Sequence, residues 1–180
     1  TFYYQGGQNN VFPFWLTQYE NDGQAWGGYE EGQANMVITW ASRYLQASPE
    51  DSAATTLPTP GKEAYTTATG WAWALASPDS VRQALSAELA EFLSTSEYLA
   101  NWNAAAGYLP PRPSSMAMWE ETPTISTFAN SVGPAAQIAP SSEILTLLGP
   151  ALSQSTVNVL KEQTDPATAA QNAIERLAEP

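Results

Sequence analysis

Hydrophobic positions follow two rhythms along this chain. Up to about Ala76 they come as short apolar runs and alternations bounded by glycine and proline, and beyond it they recur at helical spacing. The opening TFYYQGG predicts a short strand running into a glycine turn. Val11, Trp15 and Tyr19 share one helical face, and Asn21-Asp22-Gly23 is expected to break that helix. Met36, Val37 and Ile38 follow a glycine turn and predict a buried strand with Trp40 at its exit. Ala41 to Gln46 reads as a short helix. AATTLPTP predicts a second strand, closed by Pro58 and Pro60, and TTATGWAWALA a third, after a turn at Gly61-Lys62.

Beyond this point the pattern is helical. Ser77-Pro78-Asp79 supplies an N-cap, a first-turn proline and an acid, and Val81, Leu85, Leu89 and Phe92 then line one face. Ser94 with Glu97 predicts a capping box for the next helix, whose inner face carries Tyr98, Trp102 and Ala105 and which Gly107 ends. GYLPPRP reads as extended, with a short helix around Met116 to Glu121. Ser141 caps a helix bearing Ile144, Leu145, Leu148 and Leu152, and Asp165-Pro166 opens a last helix through Ala170, Ile174 and Leu177. The expected fold class is α/β: a few-stranded mixed sheet with many helices, strand-rich over 1–76 and mainly helical over 77–180. So few strands for the length suggest a piece of a larger sheet protein.

Composition narrows the chemistry. The 180 residues suffice for a real core, and 43% hydrophobic against 13% charged residues describe a globular chain. With 18 acidic and 6 basic residues the net charge is -12, which argues against nucleic acid or an anionic membrane as partner. The absence of Cys and His removes disulfides, thiolate zinc sites, Cys nucleophiles and imidazole acid–base catalysis. No cofactor or metal motif stands out, and no segment has the length of a transmembrane helix.

Five stretches together resemble the C-terminal half of the extracellular solute-binding proteins of carbohydrate ABC importers, the family 1, maltose/trehalose-binding-protein-like group. EEGQANMVITWAS is similar to a strand that ends in a cleft-facing aromatic, and AATTLPTPG to a strand and turn of that family. TTATGWAWALASPDS resembles the Gly-Gly-Trp strand that runs into a Ser-capped helix, with Thr69 in place of the first glycine. LAEFLSTSEYLANWNAAAGYLPPRPS resembles the helix pair before a Leu-Pro-x-Arg loop, and FYYQGG an earlier strand. The resemblance implies a periplasmic-binding-protein-like lobe of type II, spanning 1–180 and incomplete without its other lobe. It implies a periplasmic or extracellular location, with a lipoprotein anchor in the full-length protein. The implied partners are a carbohydrate ligand and the permease subunits, together with self-association through the face left by a missing lobe.

Candidate binding residues follow from strand exits, where α/β sheets bind ligands, and from the ability of aromatic rings to cover the C–H faces of sugars. Trp40 and Trp71 are either core aromatics or sugar platforms, and the resemblance favours the cleft. Gly70 is expected to let ligand approach the backbone, and Trp73, deeper in the strand, to be buried. Arg112, in LPPRP, is a hydrogen-bond donor to hydroxyls or simply a surface cation. Gln5, Ser42, Arg43 and Tyr44 are weaker polar candidates, which a solvated loop or helix start explains equally well. No catalytic residue is expected. The competing reading, an accessory or catalytic domain of a carbohydrate-active enzyme, rests on Glu30-Glu31 and Glu120-Glu121. Adjacent residues point in different directions, so neither pair makes an acid/base couple by itself.

Overall fold

The computed structural model describes residues 1–59, 61 and 63–178. These fall into two compact units, Thr1–Ile38 with Pro140–Pro180 and Thr39–Ala139.

In the first unit the chain begins with helix α1 (Phe2–Gln8), not the expected strand. The reason is aromatic packing: the turn of the chain brings Phe2 and Tyr3 to ring-centroid distances of 5.3 and 5.6 Å from Phe12. Gly6 makes this possible, because a Cβ there would collide with the Phe12 ring. The predicted helix from Val11 shortens to a 3-10 turn at Phe14–Gln18. Asn21, expected to break a helix, starts one instead. Its side chain accepts a 3.0 Å bond from the Gln24 amide and caps α2 (Asp22–Glu30), which buries Trp26 and Gly28. Met36 to Ile38 form no strand, and both Met36 and Ile38 are exposed.

The unit is completed by α8 (Ser142–Leu160) and α9 (Pro166–Ala178), which pack together through Ala151, Val159, Ala169 and Ala173. Small side chains let the two helices approach until Ser155 Oγ donates to the Ala169 carbonyl at 3.1 Å. The leucines and isoleucines read as the inner face of α8, Ile144, Leu145, Leu148 and Leu152, are exposed instead, as is Ile174 of α9. The caps are where the residue types required them. Ser141 Oγ accepts from the Ile144 amide at 3.4 Å, and Asp165 Oδ1 accepts from Ala167 and Thr168 at 2.9 and 3.1 Å.

The second unit holds α3 (Ala41–Ala47), strand β1 (Thr66–Ala68), α4 (Ser80–Leu93), α5 (Ser96–Ala106), α6 (Pro113–Met116) and α7 (Pro123–Thr127). A π turn at Phe128–Val132 and strand β2 (Ala136–Ile138) follow. β1 and β2 pair in parallel, with Thr66, Thr67 and Ala68 opposite Ala136, Gln137 and Ile138. The second predicted strand reduces to one antiparallel bridge, Leu57 to Tyr65; Pro60 and Lys62 lie outside the described residues. The third predicted strand ends at Ala68, because β2 offers only three residues to pair with.

The starts of α4 and α5 sit slightly downstream of the sequence expectation. Asp79, rather than Ser77, caps α4 by accepting from the Arg82 amide at 2.9 Å. Thr95, rather than Ser94, caps α5. Gly107 ends α5 as expected, at φ 70°, a left-handed conformation that glycine adopts without strain. The helix expected around Met116 to Glu121 is the earlier α6, which starts at Pro113. The core comprises Tyr44, Ala100, Asn103, Ser115, Met116, Phe128 and Val132. Trp119 closes it by donating its indole N–H to the Ala100 carbonyl at 2.8 Å.

Candidate functional site

Trp40, Ser42, Gly70, Trp71 and Arg112 all belong to the second unit. Trp40 precedes α3 in the N-cap position, and its carbonyl accepts from the Arg43 and Tyr44 amides at 3.0 and 3.3 Å. Its backbone is therefore fixed by the helix while its indole stays 47% exposed. Ser42 and Arg43 are half-buried in the first turn of the same helix. Tyr44, one of the weaker polar candidates, is a core residue: its hydroxyl donates to the Ser52 carbonyl at 2.7 Å. Gln5, another weak candidate, lies exposed on α1 of the first unit, where its backbone carbonyl accepts from the Asn9 side chain at 2.8 Å.

Trp71 follows β1 in an extended segment without regular pairing, where every residue from Thr69 to Ala76 is exposed. Its indole is 93% exposed. Gly70 has open space on its Cβ side, so nothing in the protein's own packing demands glycine there. Trp73 departs from expectation. It is 63% exposed rather than buried, because the strand that would have carried it into a core stops at Ala68. Tyr98 is half-buried beside Phe92, with ring centroids 5.6 Å apart, whereas the Trp102 ring is exposed and stacks on Tyr108 at 6.2 Å.

Arg112 caps α6 from the backbone, its carbonyl accepting from Ser115 and Met116 at 3.0 and 3.1 Å, and its side chain is exposed. Two indoles and a guanidinium are therefore exposed to solvent, Trp40 and Arg112 on backbone held at helix starts and Trp71 in the unpaired segment after β1.

The four paired glutamates are all exposed. Glu31 accepts from the Gln33 side-chain Nε2 at 2.7 Å and Glu121 from the Ser126 hydroxyl at 3.2 Å, which is the chemistry of solvated surface acids. Among the described residues no group of three or more Asp or Glu side chains could hold a metal ion, and no helix is long and apolar enough to cross a membrane.

The family model of bacterial extracellular solute-binding proteins matches residues 2–127, a span that contains Trp40, Ser42, Gly70, Trp71 and Arg112. The chain belongs to this family. Membership points to a substrate-binding transport component that works in the periplasm or outside the cell, in a family that is generally non-catalytic. No curated protein matches the chain.

Proposed function

We propose that the chain is a type II lobe of a carbohydrate-binding component of a bacterial ABC importer. Trp71 and Trp40 are the platforms on which sugar rings stack, Arg112 and Ser42 bond hydroxyls, and Gly70 leaves room for the ligand beside the backbone. Ligand bridging two lobes would shift an open–closed equilibrium that the permease subunits sense, with no bond made or broken. In the full-length protein a lipid anchor would keep the lobe pair at the membrane.

The observation that carries this reading is the 93% exposure of Trp71. Trp71 shares its segment with the exposed Trp73 and Leu75, and an apolar stretch left open to water in this way supports a contact with something else. Its neighbours are uncharged, which favours a neutral ligand over an ionic one. Self-association of this chain alone is supported by Val81, Leu85, Leu89 and Phe92, which stand exposed on α4.

Isothermal titration of the protein with a panel of mono- and oligosaccharides tests the proposal. Saturable heat with at least one sugar, from which Trp71→Ala removes a binding event without loss of Tm, is the expected result. Binding of every sugar at wild-type affinity by Trp71→Ala would overturn the assignment.

A further inference from the structure

A cleft of about 480 Å³ opens in the first unit among α1, the 3-10 turn and the end of α8. Its size lies within the roughly 300–1,000 Å³ of small-molecule sites. Tyr4, Phe14 and Trp15 supply aromatic surface to its wall, and Phe14 and Tyr4 remain exposed rather than committed to a core.

Gln8 and Glu162 supply polar groups from opposite ends of the chain. Gln8 Nε2 donates to Glu162 Oε1 at 2.6 Å, so each holds the other in place at the cleft. Glu162 occupies an unfavourable backbone position. It follows the C-cap of α8 at φ 54°, where its amide bonds the Val159 carbonyl at 3.1 Å and the Gln163 amide bonds the Asn158 carbonyl at 2.9 Å. Glycine is the residue this helix-ending pattern favours. Asn10, also in the cleft wall, has a second left-handed backbone at φ 56°. Backbone strain of this kind gathers at ligand sites. Lys161 lines the cleft next to Glu162, so the two formal charges offset each other and the cleft favours a neutral guest.

Aromatic faces, a side-chain amide and an oriented carboxylate are what a polyhydroxylated ring requires: its C–H faces stack and its hydroxyls donate. We propose that this cleft is a second binding site, separate from Trp40 and Trp71, that takes a neutral saccharide. The rings stack on Trp15 and Phe14, and hydroxyls bond Glu162 and Gln8.

The test is titration of the Trp40→Ala/Trp71→Ala double variant with maltose and with N-acetylglucosamine. The Trp15 indole N–H shift in ¹H–¹⁵N spectra is followed, with the signal assigned by Trp15→Phe. A saturable Trp15 shift with at least one of the two sugars is expected. Removing the bond to a charged group should weaken it about tenfold or more in Gln8→Ala and in Glu162→Gly. Glycine suits the backbone at 162, so Glu162→Gly keeps or raises Tm and its loss of binding cannot be a loss of fold. The proposal is overturned by the absence of a saturable shift with both sugars. It is overturned equally by a shift present in the wild type but absent from the double variant, or by unchanged affinity in folded Glu162→Gly.

Discussion

Tyr44 meets Phe128 edge to face, with ring centroids 6.0 Å apart and planes at 75°. The pair joins α3, which carries Trp40, to the π turn ahead of β2, and Phe128 is only 2% exposed. Aromatic edges and faces attract through their quadrupoles, and both rings are withdrawn from water. Phe128→Ala is expected to cost about 3–5 kcal/mol, the range for truncating a buried aromatic. Tyr44→Phe keeps the ring but leaves the Ser52 carbonyl without its 2.7 Å partner, at a cost of about 1 kcal/mol. Chemical denaturation of the two variants separates packing from hydrogen bonding; equal losses would contradict the assignment.

Ser115 is fully buried in α6, and among the described residues its hydroxyl has no hydrogen-bond partner. A buried hydroxyl without a partner opposes folding, while a methyl group in its place does not. Ser115→Ala is expected to stabilise by about 1 kcal/mol, or roughly 2–4 °C in Tm for a chain of this size. A lower Tm in a thermal melt would show that the hydroxyl is satisfied in solution.

Asp165 ties the start of α9 together. Its carboxylate accepts from the Thr168 hydroxyl at 2.6 Å and from the Thr168 and Ala167 amides, and these bonds hold its pKa below the ordinary 3.8. A group whose folded pKa is depressed contributes stability that is complete above its unfolded pKa and vanishes as pH falls through the folded value. The start of α9 should therefore loosen only in acid, below the ordinary carboxylate range. Protection of the Ala167 and Thr168 amides, taken against their intrinsic exchange rates at each pH, should fall there, and Asp165→Ala should show that loss of protection already at neutral pH. Protection independent of pH in the wild type would exclude the cap as its cause.

Three helix ends were legible in the sequence because they depend on single residue types. Ser141, Asp165 and Gly107 each satisfy a terminal backbone group with their own atoms or conformation, so the residue suffices to place the boundary. Ser77 and Ser94, by contrast, missed their caps by one or two residues, and Asn21, expected to break a helix, starts one. Strands were not legible in the same way. Met36 to Ile38 and Trp71 to Leu75 carry apolar side chains, yet a strand also requires a partner, which alternation within one segment cannot provide. β2 is the example: nothing in Ala136-Gln137-Ile138 advertised a strand, and it exists because Thr66 to Ala68 lie beside it.

Helix faces were misjudged where small residues do the packing. Periodicity pointed to Leu148, Leu152 and Ile174, but Ala151, Ala169 and Ala173 are the buried residues of α8 and α9. The cleft around Glu162 was invisible for a different reason, since its walls come from both ends of the chain. The exposed indole of Trp71 belongs to the same lesson as Trp73. The sequence pattern suggested a choice between cleft and core, and the short strand leaves both rings in water.

The most direct measurement of the central claim is a sugar titration of wild type, Trp71→Ala and Trp73→Ala, followed by tryptophan fluorescence with Tm recorded for each. The account predicts a saturable fluorescence change in the wild type. Measured in the Glu162→Gly background, which disables the cleft of the first unit, that change should disappear in Trp71→Ala and persist in Trp73→Ala, with each Tm within about 2 °C of its parent, as for exposed surface positions. A titration unchanged by Trp71→Ala, or one lost only together with the fold, would contradict it.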